Sequence, residues 1–150
     1  LREKQKLRRI YGIRERQFKN YVLLAKTGKE AARDALPSIL ERRLDSVIYR
    51  SGFAASRTQA RQLISHGHFE INGRRVDIPS YLVNEGDVIS VKESRLSWVK
   101  EIAAENKGRT FPNWLEKDDE ALKIQVIGRP SPEDVDYTIN YDQIIEFYSR

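Results

Sequence analysis

Apolar residues recur at helical spacing in some stretches of this chain and alternate with polar ones in others. Leu40, Leu44, Val47 and Ile48 fall at i, i+4, i+7 and i+8, which predicts an amphipathic helix. That helix stops at Ser51-Gly52-Phe53, where Gly52 supplies a left-handed C′ residue and Phe53 folds back onto the last turn. A second helix begins at Ser56-Arg57-Thr58-Gln59. Ser56 is placed to accept from the Gln59 N–H while the Gln59 side chain reaches back to the Ser56 N–H, a capping box. Ala60, Leu63 and Ile64 form its apolar stripe. Only Phe53 to Ala55 separate the two helices, so they meet at a sharp angle.

The period then changes. Phe69 and Ile71 alternate with polar residues, and Asn72-Gly73 is a strong hairpin signal that emits Arg74 and Arg75. Asn84-Glu85-Gly86-Asp87 makes another turn before a third strand at Val88–Val91. Ahead of this unit, residues 1–26 read as helix in two pieces broken at Gly12, with Leu7, Ile10, Tyr11, Phe18, Tyr21, Val22 and Ala25 on one face. A short helix is expected from Lys29 to Asp34 before Pro37, and Ser38 with Glu41 predicts an N-cap for the helix through Leu44. After Val91, Ser94 or Ser97 is expected to cap a helix carrying Leu96, Val99, Ile102 and Ala103. Residues 111–115 and 122–127 read as extended, and Pro130 and Pro132 mark a loop. Asn140 and Gln143 cap a final helix whose Ile144, Ile145 and Tyr148 share a face.

Charge changes the picture more than composition does. The net charge is only +5, but residues 1–66 hold 16 Lys/Arg against 6 Asp/Glu, while residues 67–150 hold 11 against 16. A basic face meeting a polyanion accounts for that asymmetry. No apolar run approaches the roughly 18 residues of a membrane span, and a membrane surface would need a broad apolar face as well. The chain has no cysteine, which removes disulfides and thiolate metal sites and fits the cytoplasm. His66 and His68 are the only histidines; two such ligands without Cys or a nearby Asp/Glu pair do not make a zinc site. No Gly-rich phosphate loop, nucleophile elbow or metalloprotease signature occurs, so a non-enzyme without cofactor is expected.

The order Glu41-Arg42-Arg43-Leu44-Asp45, Gly52-Phe53, Ser56-Arg57-Thr58-Gln59-Ala60-Arg61-Gln62-Leu63, Asn72-Gly73-Arg74 and Gly86-Asp87 resembles the S4-type RNA-binding module. Leu1 to Gly12, Glu15-Arg16-Gln17-Phe18, Asn113-Trp114-Leu115-Glu116 and the ending Glu146-Phe147-Tyr148-Ser149-Arg150 extend the resemblance to the bacterial ribosomal protein S4 family. It implies an α+β fold: a mostly helical N-terminal domain, residues 1–40, completed by the C-terminal segment 139–150. Inserted in it is the RNA-binding module, a helix-turn-helix plus small antiparallel sheet at 41–105, followed by extended segments and loops at 106–138. It also implies an N-terminal extension ahead of Leu1.

What the resemblance implies for function is a structural protein of the small ribosomal subunit in the cytoplasm or an organelle. Such proteins bind the 5′ domain of 16S rRNA at a helical junction, nucleate assembly of the subunit body, touch neighbouring ribosomal proteins at a contact that bears on accuracy, and in many cases repress their own mRNA through its leader. No membrane or small-molecule partner is expected. The residues assigned to RNA are Lys4, Lys6, Arg8, Arg9, Arg14, Arg16 and Lys19 in the N-terminal helices, and Arg43, Arg50, Arg57, Thr58, Gln59, Arg61, His68, Arg74 and Arg75 in the module. Arginine forks suit phosphates, and a helix N-terminus adds free N–H groups and partial positive charge. Tyr11, Phe18 and Tyr21 are candidate stacking platforms, although their helical spacing favours the core. Two alternatives share the module: the targeting arm of an RNA-modifying enzyme, whose catalytic domain residues 92–150 are too few to supply, and a heat-shock RNA-binding protein, which lacks the Leu1–Phe18 segment.

Overall fold

Two segments far apart in sequence build one unit, Leu1–Glu41 with Ser131–Arg150, and the chain between them, Arg42–Pro130, forms a second. The computed structural model describes residues 1–131, 134–135 and 138–149; Pro132 of the expected loop and Arg150 of the expected tail lie outside them. The fold is α+β, and the second unit is an insertion in the first.

In the first unit, α1 (Arg2–Tyr11), α2 (Glu15–Thr27) and α3 (Ala32–Glu41) pack with the closing helix α7 (Tyr141–Phe147). Gly12 separates α1 from α2 as expected. Tyr11, Phe18 and Tyr21 are buried with Leu7, Val22, Leu36, Leu40 and Ile144, so the candidate stacking rings are core. Asn140 caps α7 by accepting from the Gln143 N–H at 3.1 Å. The Tyr148 ring lies 6.0 Å from that of Phe18, and Lys26 Nζ donates to Ser149 Oγ at 2.7 Å, which fastens the tail to α2. The Tyr11 hydroxyl donates to the fully buried Glu41 carboxylate.

The expected stop at Pro37 does not occur. Proline removes one helical N–H and usually breaks the ladder, yet α3 runs through it with Pro37 buried. Ser38 lies inside that helix and caps nothing. The break comes later, at Arg42 and Arg43, where the Val83 N–H donates to the Arg42 carbonyl at 3.0 Å and the Leu44 N–H to the Tyr81 carbonyl at 2.8 Å. Pairing with residues forty positions away thus overrides helix continuation, and Leu40 and Leu44, one stripe in sequence, serve different units.

The second unit begins with α4 (Leu44–Arg50) and α5 (Arg57–Ser65), followed by β1 (Phe69–Ile71), β2 (Arg74–Arg75) and β3 (Val88–Val91). A single 3-10 turn, Glu93–Arg95, leads into α6 (Leu96–Glu105), so neither Ser94 nor Ser97 caps it. Strands β4 (Leu115–Asp118) and β5 (Lys123–Val126) then join the same sheet, whose order is β2-β1-β3-β5-β4 with every pairing antiparallel. The pleat sends Phe69, Ile71, Ile89, Val91, Ile124 and Val126 to one buried face, where they share a core with Leu44, Ile48, Phe53, Leu63, Ile64 and Val99 of the helical segments. Asn72 (φ 53°) and Gly73 (φ 81°) give the two left-handed residues that a two-residue hairpin turn requires. The Asn72 amide also ties this turn to the next, donating to Asp87 Oδ1 at 3.0 Å and accepting from the Val88 N–H at 2.9 Å.

Between α4 and α5, the Gly52 N–H bonds the Tyr49 carbonyl at 3.0 Å and the Phe53 N–H the Ile48 carbonyl at 3.1 Å, with Phe53 only 1% exposed. Gly52 has φ +79°, and a Cβ there would stand 3.1 Å from the Asn106 carbonyl oxygen. Gly52→Ala is therefore expected to destabilise the protein by about 1–2 kcal/mol, measured as a lower urea midpoint with an unchanged m-value.

Candidate nucleic-acid interface

The start of α5 is built by residues 55–59. Ser56 Oγ accepts from the Gln59 N–H at 3.0 Å, and Gln59 Oε1 accepts from the Ala55 N–H at 2.6 Å, one residue earlier than the box predicted from sequence. The N–H groups of Arg57 and Thr58 take no part in that exchange, and the helix dipole adds partial positive charge at the same place. Thr58 is exposed, while Arg57, Gln59 and Arg61 are half-buried. The Arg57 guanidinium lies 4.7 Å from the Tyr49 ring centroid and its Nη2 donates to Ser46 Oγ at 3.4 Å. Arg61 Nη2 donates to Thr58 Oγ1 at 3.3 Å, and its Nη1 lies 3.9 Å from the buried Asp45 carboxylate.

The structure brings Arg57, Thr58, Gln59 and Arg61 together on one turn of α5, and places Arg50 half-buried at the end of α4. Arg74 and Arg75 are exposed on β2, an edge strand; the Arg75 guanidinium packs over Gly67 and lies 3.6 Å from Asp77. In the first unit, Lys6, Arg9, Arg14, Arg16 and Lys19 are exposed.

Four of the expected contacts are committed elsewhere. Arg43 is 3% exposed and forks onto Asp45, Nε to Oδ1 at 3.1 Å and Nη2 to Oδ2 at 2.9 Å, so it holds the start of α4 and presents no charge to solvent. His68 is also 3% exposed: Nδ1 is 2.9 Å from the Leu63 carbonyl, and the ring meets Trp98 edge-on at 5.9 Å. Because a carbonyl only accepts, Nδ1 carries the proton, and the buried Nε2 is left as an acceptor with no partner among the described residues. Burial therefore pushes the imidazole below its ordinary value, with Arg95 and His66 acting in the same direction against the Leu63 hydrogen bond. Lys4 and Arg8 converge on Glu15 Oε2 at 3.3 and 3.2 Å, and Lys4 also lies 5.0 Å from the Phe147 ring centroid. The Tyr148 hydroxyl, 2.7 Å from Glu15 Oε1, and these two cations hold the Glu15 carboxyl below its usual range; burial foremost pushes the Tyr148 phenol up.

Sequence reasoning missed three cations of this region. Arg42 donates from Nε to the Val83 carbonyl at 2.9 Å and from Nη2 to Asn84 Oδ1 at 2.9 Å. Lys117 donates to the Ser51 carbonyl at 3.1 Å. Arg109 stacks 4.3 Å from the Tyr49 ring centroid and donates to the carbonyls of Tyr49, Ala54 (2.8 Å) and Ala55 (3.3 Å). All three act across long sequence separations, so no spacing rule marks them. Among the described residues no cluster of three or more His, Asp or Glu side chains is arranged to hold a metal ion, and no helix is long and apolar enough to cross a membrane.

Residues 1–41 match the family described as ribosomal protein S4/S9 N-terminal domain, and residues 42–89 the S4 domain. Over its whole length the chain is 51% identical to small ribosomal subunit protein uS4A of Symbiobacterium thermophilum and 52% identical to uS4 of Caldicellulosiruptor saccharolyticus, spanning 73% of each. It is 51% identical to uS4 of Halothermothrix orenii, again over the whole chain and 73% of that protein. The chain belongs to the uS4 family. The S4-domain match stops at residue 89, inside β3, whereas the second unit of this uS4 chain runs to Pro130. Arg109, Lys117, β4 and β5 thus lie beyond the matched module.

His68 supplies a pH dependence whose sign follows from its burial. With its folded value lowered, the unfolded chain binds a proton at His68 over a range where the folded chain does not. Stability is full above the unfolded value of about 6.5 and falls as the pH drops through it towards the folded one. Urea unfolding of the wild type is expected to lose more stability between neutral and mildly acidic pH than His68→Gln does; equal losses would assign the titration to another group.

Proposed function

We propose that this chain is a structural RNA-binding constituent of the small ribosomal subunit in the bacterial cytoplasm, and not an enzyme. One observation carries the reading: the ribosomal N-terminal domain is matched as well as the RNA-binding module, and the full 150 residues align with relatives named small ribosomal subunit protein uS4. An RNA-targeting arm of a modifying enzyme would carry the module without the ribosomal N-terminal domain matched at residues 1–41.

The geometry supports RNA as the ligand. Base edges of double-stranded RNA lie in a groove that side chains cannot read, so proteins bind its shape through phosphates and 2′-hydroxyls or capture bases at junctions. In the second unit, Arg57, Thr58 and Arg61 surround a capped helix start, and Arg74 and Arg75 project from a hairpin. In the first unit, Lys6, Arg9, Arg14, Arg16 and Lys19 form an exposed basic set. The RNA is a helical junction in the 5′ domain of 16S rRNA, where binding nucleates assembly of the subunit body. Contact with neighbouring ribosomal proteins that bears on accuracy, and binding to the leader of its own mRNA, belong to the same reading.

A titration of the chain on folded 5′-domain rRNA, with a junction-free duplex as competitor and at two salt concentrations, tests it. Junction-dependent binding that weakens as salt rises is expected; equal, weak binding to both RNAs would refute junction recognition. Neutralising Arg57 and Arg61 to glutamine is expected to weaken binding at least tenfold more than neutralising the exposed Lys92 and Lys123, on the order of 1.4 kcal/mol or more. Equal losses for the two pairs would move the interface away from α5.

A further inference from the structure

Four carbonyl groups in and around the turn joining α4 to α5 have cationic partners from the segment that follows α6. Arg109 takes those of Tyr49, Ala54 and Ala55, and Lys117 takes that of Ser51. Both cations lie outside the matched S4 domain, which ends at residue 89. The Arg109 guanidinium is also used in full at its forked end. Nη1 serves Tyr49 and Ala54, and Nη2 serves Ala55 and the Asn106 side chain at 3.0 Å, so four N–H donors meet four protein oxygens. Such a group has no Nη donor to offer a phosphate unless it lets go of the turn.

What Arg109 holds is the foundation of the proposed phosphate site. Its contact with Ala55 fixes the residue whose N–H donates to Gln59 Oε1 at 2.6 Å, and the Gln59 N–H in turn bonds Ser56 Oγ at 3.0 Å. A continuous chain of hydrogen bonds therefore runs from Arg109 through Ala55 to the first turn of α5. A second link runs through Tyr49: Arg109 lies 4.3 Å and Arg57 4.7 Å from its ring centroid. Two cations against one ring repel each other, and the repulsion is tolerable because Arg109 is surrounded by carbonyl dipoles. Those carbonyls would otherwise carry partial negative charge beside a site meant for phosphate.

We infer that Arg109 is a positioning residue for RNA binding: through the Ala55 carbonyl and the Tyr49 ring it sets the start of α5 and the Arg57 guanidinium without itself touching RNA. The inference deepens the proposed function and rests on it. It makes residues beyond the matched module a working part of the RNA-binding surface.

The test uses the full chain and 5′-domain rRNA, with wild type, Arg109→Gln, Arg109→Lys and Arg57→Gln compared over a salt series. Each variant is measured well below its thermal midpoint, where a purely structural loss would leave the affinity of the folded protein unchanged. Arg109→Gln is expected to weaken binding by about tenfold, within the range for residues that act on a site without touching its ligand, while keeping the wild-type slope of log affinity against log salt. Arg57→Gln is expected to flatten that slope by about 0.9, one phosphate contact. Arg109→Lys restores the charge but not the fork, so it is expected to fall between Arg109→Gln and wild type. Amide exchange at Gln59 should speed up in both Arg109 variants relative to the sheet. A slope flattened by Arg109→Gln as much as by Arg57→Gln would make Arg109 a direct phosphate ligand and overturn the inference. Unchanged affinity in a folded variant, or unchanged exchange at Gln59, would overturn it as well. Failure of the wild type to prefer the junction RNA would refute the proposed function instead, and the exchange measurement would still decide whether Arg109 sets the start of α5.

Discussion

The Asp45 carboxylate, with 1% of its side chain exposed, lies in the grip of Arg43 and within reach of Arg61. Around it the second unit takes shape. The Leu44 N–H reaches the Tyr81 carbonyl and the Asp45 N–H the Pro79 carbonyl at 3.1 Å, so the first turn of α4 is pinned to the loop ahead of β3. A charge buried this deeply is tolerated only with its partner; removing one member of such a pair costs about 3–5 kcal/mol. Arg61 extends the network from α4 to α5. The relative angle of the two helices thus depends on an ion pair as well as on the apolar contact among Leu44, Ile48, Ala60 and Ile64. One arginine face is spent on that geometry before any ligand arrives.

Position on the chain did not distinguish the arginines that hold the protein together from those that face outward. The sequence assigns Arg43 and Arg50 to RNA alongside Arg57 and Arg61. Arg43 is buried because Asp45, two residues on, folds back beside it, a contact that the alternation of charge along a helix does not reveal. His68, assigned to RNA from sequence, is enclosed just ahead of β1 by the Leu63 carbonyl and the covering Trp98 ring. In the first unit, Lys4 and Arg8 close over Glu15, which answers to α1, α2 and the C-terminal Tyr148 together.

Features whose partners lie within a few residues were legible. The Gly52 turn, the Ser56 cap, the Asn72-Gly73 hairpin and the Asn140 cap are closed by neighbours no more than five positions away, and each formed at the place the local chemistry dictated, with the capping box shifted by one residue. The break at Arg42 and Arg43 was not legible, because the deciding bonds come from Tyr81 and Val83. The same holds for Arg109, whose carbonyl partners are more than fifty residues earlier, and for the way β5 pairs with β3. The charge asymmetry was legible as a property of half the chain, but only the fold separated exposed cations from committed ones.

The Asn72 side chain, which bridges the hairpin turn and the Asp87 turn, has a consequence for the chemical lifetime of the molecule. An asparagine followed by glycine is unusually prone to deamidation, because the unhindered glycine nitrogen can attack the side-chain amide and close a succinimide ring. Here that amide is engaged on both atoms, by Asp87 and by the Val88 N–H, and the turn holds it in a left-handed conformation. Loss of ammonia followed by hydrolysis of the succinimide would replace the donor with a carboxylate facing Asp87, and two like charges would then occupy the space of one hydrogen bond. The folded turn therefore guards its own weakest covalent site, and ageing of the protein would begin in chains that have let this hairpin open.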